Sequence, residues 1–83
     1  MKKITVVVVE DNRFLRDGIT ALIEKQNDII VTGSFGDSAK AIQAINNAPP
    51  DIVLLDLGLR NQTSLNFLKT VKKDNEELKI IVM

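Results

Sequence analysis

The sequence predicts an α/β fold in which helices cover both faces of an open parallel sheet. Four segments rich in branched apolar residues alternate along the chain with three segments that repeat apolar residues at helical spacings of three and four. Unbroken apolar runs are typical of parallel strands buried on both faces, because half-exposed strands alternate apolar with polar residues. Strict alternation of strand and helix also predicts right-handed crossovers, so the expected order is β-α-β-α-β-α-β.

The predicted strands differ in strength. They comprise residues 4–9, 29–35, 52–55 and 80–83. The second is the weakest because Thr32, Gly33 and Ser34 interrupt its apolar residues. If the first and third strands are neighbours, as in the flavodoxin-like order 2-1-3-4, the valine-rich first strand lies in the centre of the sheet.

The three helices are marked by apolar residues at helical spacing. These residues are Leu15, Ile19, Leu22 and Ile23, then Ala41, Ile42 and Ile45, and finally Leu65, Leu68 and Val71. Either Asp11 or Asn12 is the expected N-cap of the first helix, and either Asp37 or Ser38 that of the second. The third helix is expected to begin near residues 63–64.

Composition restricts the chemistry that is available. The 83 residues suffice for one small domain, and eleven basic residues balance eleven acidic ones, which argues against a polyanion-binding surface. The absence of Cys and His excludes disulfides, zinc–thiolate sites and thiol catalysis, and it removes the commonest general base. The longest apolar run ends after six residues without a cleavage site, so we expect a cytoplasmic protein with no membrane partner.

Three acidic residues follow the two strands that are expected to be neighbours. Glu10 and Asp11 end the segment VVVVEDN, and Asp56 follows DIVLL. Because functional groups of such sheets collect beyond the carboxyl ends of the strands, the three carboxylates should converge, with the carbonyl of Gly58 nearby. Two unit charges about 4 Å apart repel by about 4 kcal/mol at an effective dielectric of 20. A hard divalent cation such as Mg²⁺, which takes oxygen ligands, would remove this repulsion.

Asp56 is the best candidate for a nucleophile at this edge. It stands alone at the end of its strand, and a carboxylate beside a bound cation can attack a phosphoryl group. Any one of these acids alone is more often a turn or cap residue. The specific feature is the combination of an acidic pair after strand one with an Asp after strand three.

These segments resemble the receiver domain of two-component response regulators. The matching pieces are VVVVEDN, RDGITALIE, DIVLLDLGL and LKIIVM, and the resemblance is closest to receivers of helix-turn-helix transcriptional regulators. It implies a single, partial receiver domain over residues 1–83, in which Asp56 accepts phosphate from a sensor histidine kinase. It also implies that Asp11 and Asp56 bind Mg²⁺ directly, Gly58 through its carbonyl, and Glu10 through water. Such a domain is a signalling phosphoacceptor rather than an enzyme, and this segment would not itself bind nucleic acid.

The sequence departs from the family pattern in three ways. Arg60 and Ser64 stand where receivers usually carry Pro and Gly, so the loop after the phosphoacceptor is free to follow a different path. The family's Ser or Thr after the fourth strand, its Lys after the fifth and its last α-β-α portion would all lie beyond Met83. We therefore expect slow phosphorylation, and a fourth strand whose open edge favours a homodimer or a domain-swapped oligomer.

Two alternatives stay open from the sequence. A phosphorylation-impaired, receiver-like fragment would act only through protein–protein contact or dimerisation, and the departures favour it. A nucleotide-binding or phosphatase domain is the other, because Gly33 and Gly36 follow a strand in VTGSFGD. One such pair is a weak signal for a dinucleotide loop, and a haloacid-dehalogenase-type phosphatase would carry a second Asp where Gly58 stands.

Overall fold

The computed structural model describes residues 3–56 and 64–83. Its element order matches the predicted alternation of strand and helix. The elements are β1 (Ile4–Val9), α1 (Arg13–Glu24), β2 (Ile29–Phe35), α2 (Ser38–Asn47), β3 (Ile52–Leu55), α3 (Ser64–Asp74) and β4 (Lys79–Val82). Only β4 differs in its bounds from the predicted strands, since it begins and ends one residue earlier than expected.

The four strands form one parallel sheet in the order β2-β1-β3-β4. The predicted flavodoxin-like class and strand order are therefore confirmed. In the central strand, Val9 pairs with Phe35 on one side and with Leu55 on the other. Backbone hydrogen bonds continue past these pairs, because Glu10 N donates to Phe35 O (3.0 Å) and Asp56 N donates to Val9 O (3.1 Å). The residues after β1 and β3 thus leave the sheet side by side.

The main core lies between the sheet and the pair of helices α2 and α3. Its buried members are Val7, Val9, Ala41, Ile45, Val53, Leu55, Phe67, Val71 and Leu78. Full burial of one large apolar side chain contributes about 1.5–3 kcal/mol. Phe67 is the largest side chain in this cluster to lose all its exposed surface, so it ties α3 to the sheet.

The other face of the sheet is covered less completely. Val6 and Val8 of β1 point to this face and are buried, whereas none of the residues of α1 is buried. Leu22 of this helix is 64% exposed and Phe14 is 91% exposed. The apolar stripe predicted for the first helix therefore exists as a pattern, but it stays largely in contact with solvent.

Side-chain caps fix where the first two helices begin. The Asn12 carboxamide oxygen accepts from Leu15 N (3.1 Å), and a carboxylate oxygen of Asp37 accepts from Ala39 N (2.8 Å). Of the pair that the sequence offered for α1, the cap is thus Asn12, so Asp11 is not taken up by capping. No helix in the described part of the chain has both the length and the apolar character needed to cross a bilayer.

Candidate functional site

Three carboxylates meet at the carboxyl edge of the sheet. Glu10 and Asp11 follow β1 and Asp56 follows β3, and one carboxylate oxygen from each lies within 4.8 Å of those of the other two. The register of β1 against β3 produces this arrangement. Val9 and Leu55 are paired and end their strands, so the residues that follow them lie at the same level of the sheet edge. The structure thus brings together the three acids that the sequence singled out.

Glu10 is the buried member of this group. Its side chain is 2% exposed, and its Oε2 atom has no hydrogen-bond partner, a situation unique among the buried side-chain oxygen and nitrogen atoms of the described residues. Burial raises the pKa of Glu10 to about 7, helped by a hydrogen bond to Asp56 and by the negative charges of Asp56 and Asp11. A buried polar atom without a partner costs free energy, so this oxygen is poised to accept a ligand.

Asp11 and Asp56 differ from Glu10 in their access to solvent. Both residues are partly exposed, whereas Glu10 is buried. Asp56 is held in place through its backbone, since its N–H donates to Val9 O. The site therefore combines one inward-facing acid with two that border the solvent.

The donor set fits a hard divalent cation. All three groups offer carboxylate oxygens, and the ligand oxygens around an octahedral Mg²⁺ lie about 3–4 Å apart. A cation held by Asp11 and Asp56 could place a bound water against Glu10, whose partnerless oxygen would then gain a partner. The partly exposed carboxylates leave room for water or substrate to complete the coordination.

Some predicted features of the site lie outside the described residues. These are Gly58, expected to offer its carbonyl, Arg60 of the following loop, and the side chain of Ser64. The metal and phosphoacceptor roles of Glu10 and Asp56 remain predictions, because proximity alone assigns no role.

One contact of the site was missed from the sequence. The Arg16 guanidinium donates to the backbone carbonyl of Glu10 through Nη1 (2.9 Å), in a partly buried position. No sequence motif predicts this hydrogen bond, because the acceptor is a main-chain atom. The only sequence signal is indirect. Gly36 lacks a side chain and so leaves space for the guanidinium, but in the sequence it stood out only as part of the weak dinucleotide-loop pattern.

The family of the chain follows from comparison with known proteins. The sequence model of the protein family described as the response regulator receiver domain matches residues 6–83, which include all three acids of the site. The chain belongs to the response regulator receiver domain family. The resemblance noted from the sequence is thus confirmed, and the family is a signalling module of two-component systems.

Relatives and solved structures agree with this assignment. The nitrate/nitrite response regulator NarP of Escherichia coli K12 is 31% identical over 78 residues, which are 94% of this chain and 36% of NarP. The response regulator domain of Thermotoga maritima CheB is 27% identical with a TM-score of 0.89, covering 98% of this chain and 60% of that one. A LuxR-family regulator from Aurantimonas has a TM-score of 0.90 at 22% identity, covering 98% of this chain and 58% of that one, so its likeness concerns the fold. This receiver chain spans little more than a third of the length of NarP.

Proposed function

We propose that this receiver chain is a phosphoacceptor in which Asp56 takes a phosphoryl group from the phosphohistidine of a sensor histidine kinase. The observation that carries the proposal is the buried oxygen of Glu10, which lacks a partner within a cluster of three carboxylates. Buried polar atoms nearly always have a hydrogen-bond partner, so a buried oxygen without one points to a ligand that binds there. The family membership supplies the chemical class of that use.

The proposed cation is Mg²⁺. Asp11 and Asp56 would bind it directly, Glu10 through water, and Gly58 through its backbone carbonyl. When bound, the ion neutralises the negative oxygens of the phosphoryl group. Glu10, whose pKa is raised to about 7 by burial and by its acidic neighbours, would lose its proton on binding, since the cation then offsets the repulsion.

Asp56 is the proposed nucleophile because of its position. Its carboxylate borders solvent, whereas that of Glu10 is enclosed. An oxygen of Asp56 would form a bond to phosphorus while the phosphorus–nitrogen bond of the phosphohistidine breaks, and the electron pair of that bond returns to the imidazole. The product is an aspartyl phosphate, through which residues 1–83, acting as a single receiver domain, would signal to an output domain or partner.

A second candidate function is supported by the exposed apolar surface. Phe14 and Leu22 on α1 and Ile81 on β4 are exposed large apolar residues, and such surface favours contact with another protein chain. In this alternative the domain acts only by protein–protein contact or dimerisation, and Asp56 is not phosphorylated in the cell.

Beryllofluoride, a stable mimic of the phosphoryl group, separates the two functions. With Mg²⁺ present, the phosphoacceptor function predicts amide chemical shift changes centred on Asp56 and Asp11 in an NMR titration. Asp56→Asn should abolish them. Asp28→Asn, which removes an exposed carboxylate just before β2, should leave them intact. If the unmodified chain shows no shift changes at saturating beryllofluoride, the phosphoacceptor function is wrong and the contact-only function stands.

A further inference from the structure

The peptide group between Glu10 and Asp11 is held by the protein on two sides. Glu10 N donates to Phe35 O at the end of β2 (3.0 Å), and Glu10 O accepts from the Arg16 guanidinium (2.9 Å). The first bond continues the sheet beyond its last pair. The second comes from α1 and fixes the orientation of the carbonyl beyond the strand end, where the sheet no longer does so.

Arg16 is itself anchored in the first turns of α1. Its N–H donates to Asn12 O (2.9 Å), and its carbonyl accepts from the Thr20 hydroxyl (2.8 Å). The N-cap Asn12 sets where this helix starts, so it also sets where the arginine side chain leaves the helix. The guanidinium then reaches back over the end of β1.

Gly36 provides the space that the guanidinium occupies. A Cβ placed on Gly36 would come within 2.3 Å of Arg16 Nη1 and 3.6 Å of Glu10 O. The backbone of Gly36 does not adopt a positive φ, so the reason for glycine here is space and not backbone conformation. Three segments therefore meet at one point: the end of β1, the start of α1 and the turn after β2.

From this geometry we propose that Arg16, seated against Gly36, is a positioning residue for the acidic site. The carbonyl of Glu10 and the N–H of Asp11 belong to one planar peptide group. The angles on either side of that plane are ψ of Glu10 and φ of Asp11. A change in one of them that the other does not compensate turns the Asp11 side chain relative to those of Glu10 and Asp56. By holding the carbonyl, Arg16 keeps the acidic pair in the arrangement that a cation needs. The proposal rests on the proposed function, because it assigns the reason for this arrangement to metal binding.

The test is a double-mutant cycle between Arg16 and Gly36, read out as Mg²⁺ affinity. The affinity is measured by following the amide signals of Asp11 and Asp56 in the full 83-residue chain. Arg16→Ala should weaken Mg²⁺ binding by about tenfold, the lower end of the range seen when a group that orients metal ligands is removed. Gly36→Ala should weaken binding similarly because its methyl group displaces the guanidinium. In the Arg16→Ala background, Gly36→Ala should have no further effect, since the space is then empty.

Two further variants make the cycle specific. Arg13→Ala removes an exposed arginine from the same helix, one whose Nε lies 3.7 Å from Asp17, and should leave Mg²⁺ affinity within twofold of the unmodified chain. Arg16→Lys retains a donor and should recover part of the affinity lost in Arg16→Ala. A purely structural role would lower the urea midpoint of all Arg16 variants without changing the Mg²⁺ affinity of their folded state.

The outcomes distinguish this proposal from the proposed function. If Arg16→Ala binds Mg²⁺ within twofold of the unmodified chain, or if the effects of Arg16→Ala and Gly36→Ala add, the positioning role is wrong. If the unmodified chain binds no Mg²⁺, the proposed function fails first. The metal-free amide signal of Asp11 then decides the positioning role: it must shift in Arg16→Ala and in Gly36→Ala but not in Arg13→Ala.

Discussion

Glu10 combines burial, a partnerless oxygen and two acidic neighbours, so its protonation state is tied to the stability of the fold. In the unfolded chain its pKa would be close to 4.5, whereas in the folded metal-free chain it is about 7. The folded state therefore keeps a proton that the unfolded state releases between these two values. A group of this kind stabilises the fold fully below pH 4.5, and that contribution is lost as pH rises through about 7.

In the metal-free domain, we expect the free energy of unfolding to decrease as the pH rises from 4.5 to 8. Glu10 should account for up to roughly 3 kcal/mol of this decrease. Urea unfolding with a chelator present, followed by circular dichroism at several pH values, measures it. Glu10→Gln should remove this part of the pH dependence and exceed the unmodified chain in stability at pH 8. Equal pH slopes for the two proteins would contradict the interpretation.

At the scale of residues, the sequence predicted the convergence of the acids but not their different environments. Glu10, Asp11 and Asp56 come together because the strand order and register place two strand ends at one level. The pattern of apolar runs predicted the parallel strands, the flavodoxin-like class supplied their expected order, and the register is seen only in the structure. Side-chain burial depends on how the surrounding elements pack, which is why Glu10 was expected only as a ligand through water. Arg16 escaped notice because its partner is a backbone carbonyl.

At the scale of elements, α3 joins the main core through the buried side chains of Phe67 and Val71. Both side chains are fully buried, one turn apart, while Lys72 donates to the carbonyls of Glu76 and Leu78 and secures the turn into β4.

Phe67→Ala should lower the free energy of unfolding by about 3–5 kcal/mol, because it removes a large buried side chain and leaves a cavity. A loss of this size is a large part of the total stability of a small domain. Phe14→Ala provides a matched control, since Phe14 is almost fully exposed and the same substitution there should change stability by no more than about 0.5 kcal/mol. Urea midpoints that fell equally in both variants would show that the core is not organised around Phe67.

Element boundaries show where sequence patterns stop being informative. The sequence left Asp11 and Asn12 equivalent as caps of α1, because both side chains can accept the hydrogen bond that a helix start offers. The structure uses Asn12 and keeps Asp11 for the acidic cluster. The apolar spacing of α1 predicted a helix correctly, but not how much of its apolar stripe would be covered, since that depends on the other elements packed around it.

At the scale of the whole molecule, the described residues cover one face of the sheet more completely than the other. Helices α2 and α3 cover a buried apolar core on one side of the sheet, whereas on the other side apolar residues of α1 stay exposed to solvent. Strand β4 forms one edge of the described sheet, and Ile81 within it is 51% exposed. Exposed apolar surface beside an open strand edge favours association with a second chain, because the edge offers unpaired backbone groups and the apolar surface offers buried area.

We therefore expect the 83-residue chain to form dimers or larger oligomers at micromolar concentration, as a plain or a domain-swapped assembly. Light scattering coupled to size-exclusion chromatography measures the mass directly. Leu22→Glu on α1 and Ile81→Lys on β4 should each shift the population towards monomer, since each places a charge on the surface that would be buried. Gln43→Glu, an exposed change on α2 away from this surface, should leave the mass unchanged. A monomer for the unmodified chain across this concentration range would contradict self-association, and it would leave the exposed apolar residues available to a different partner.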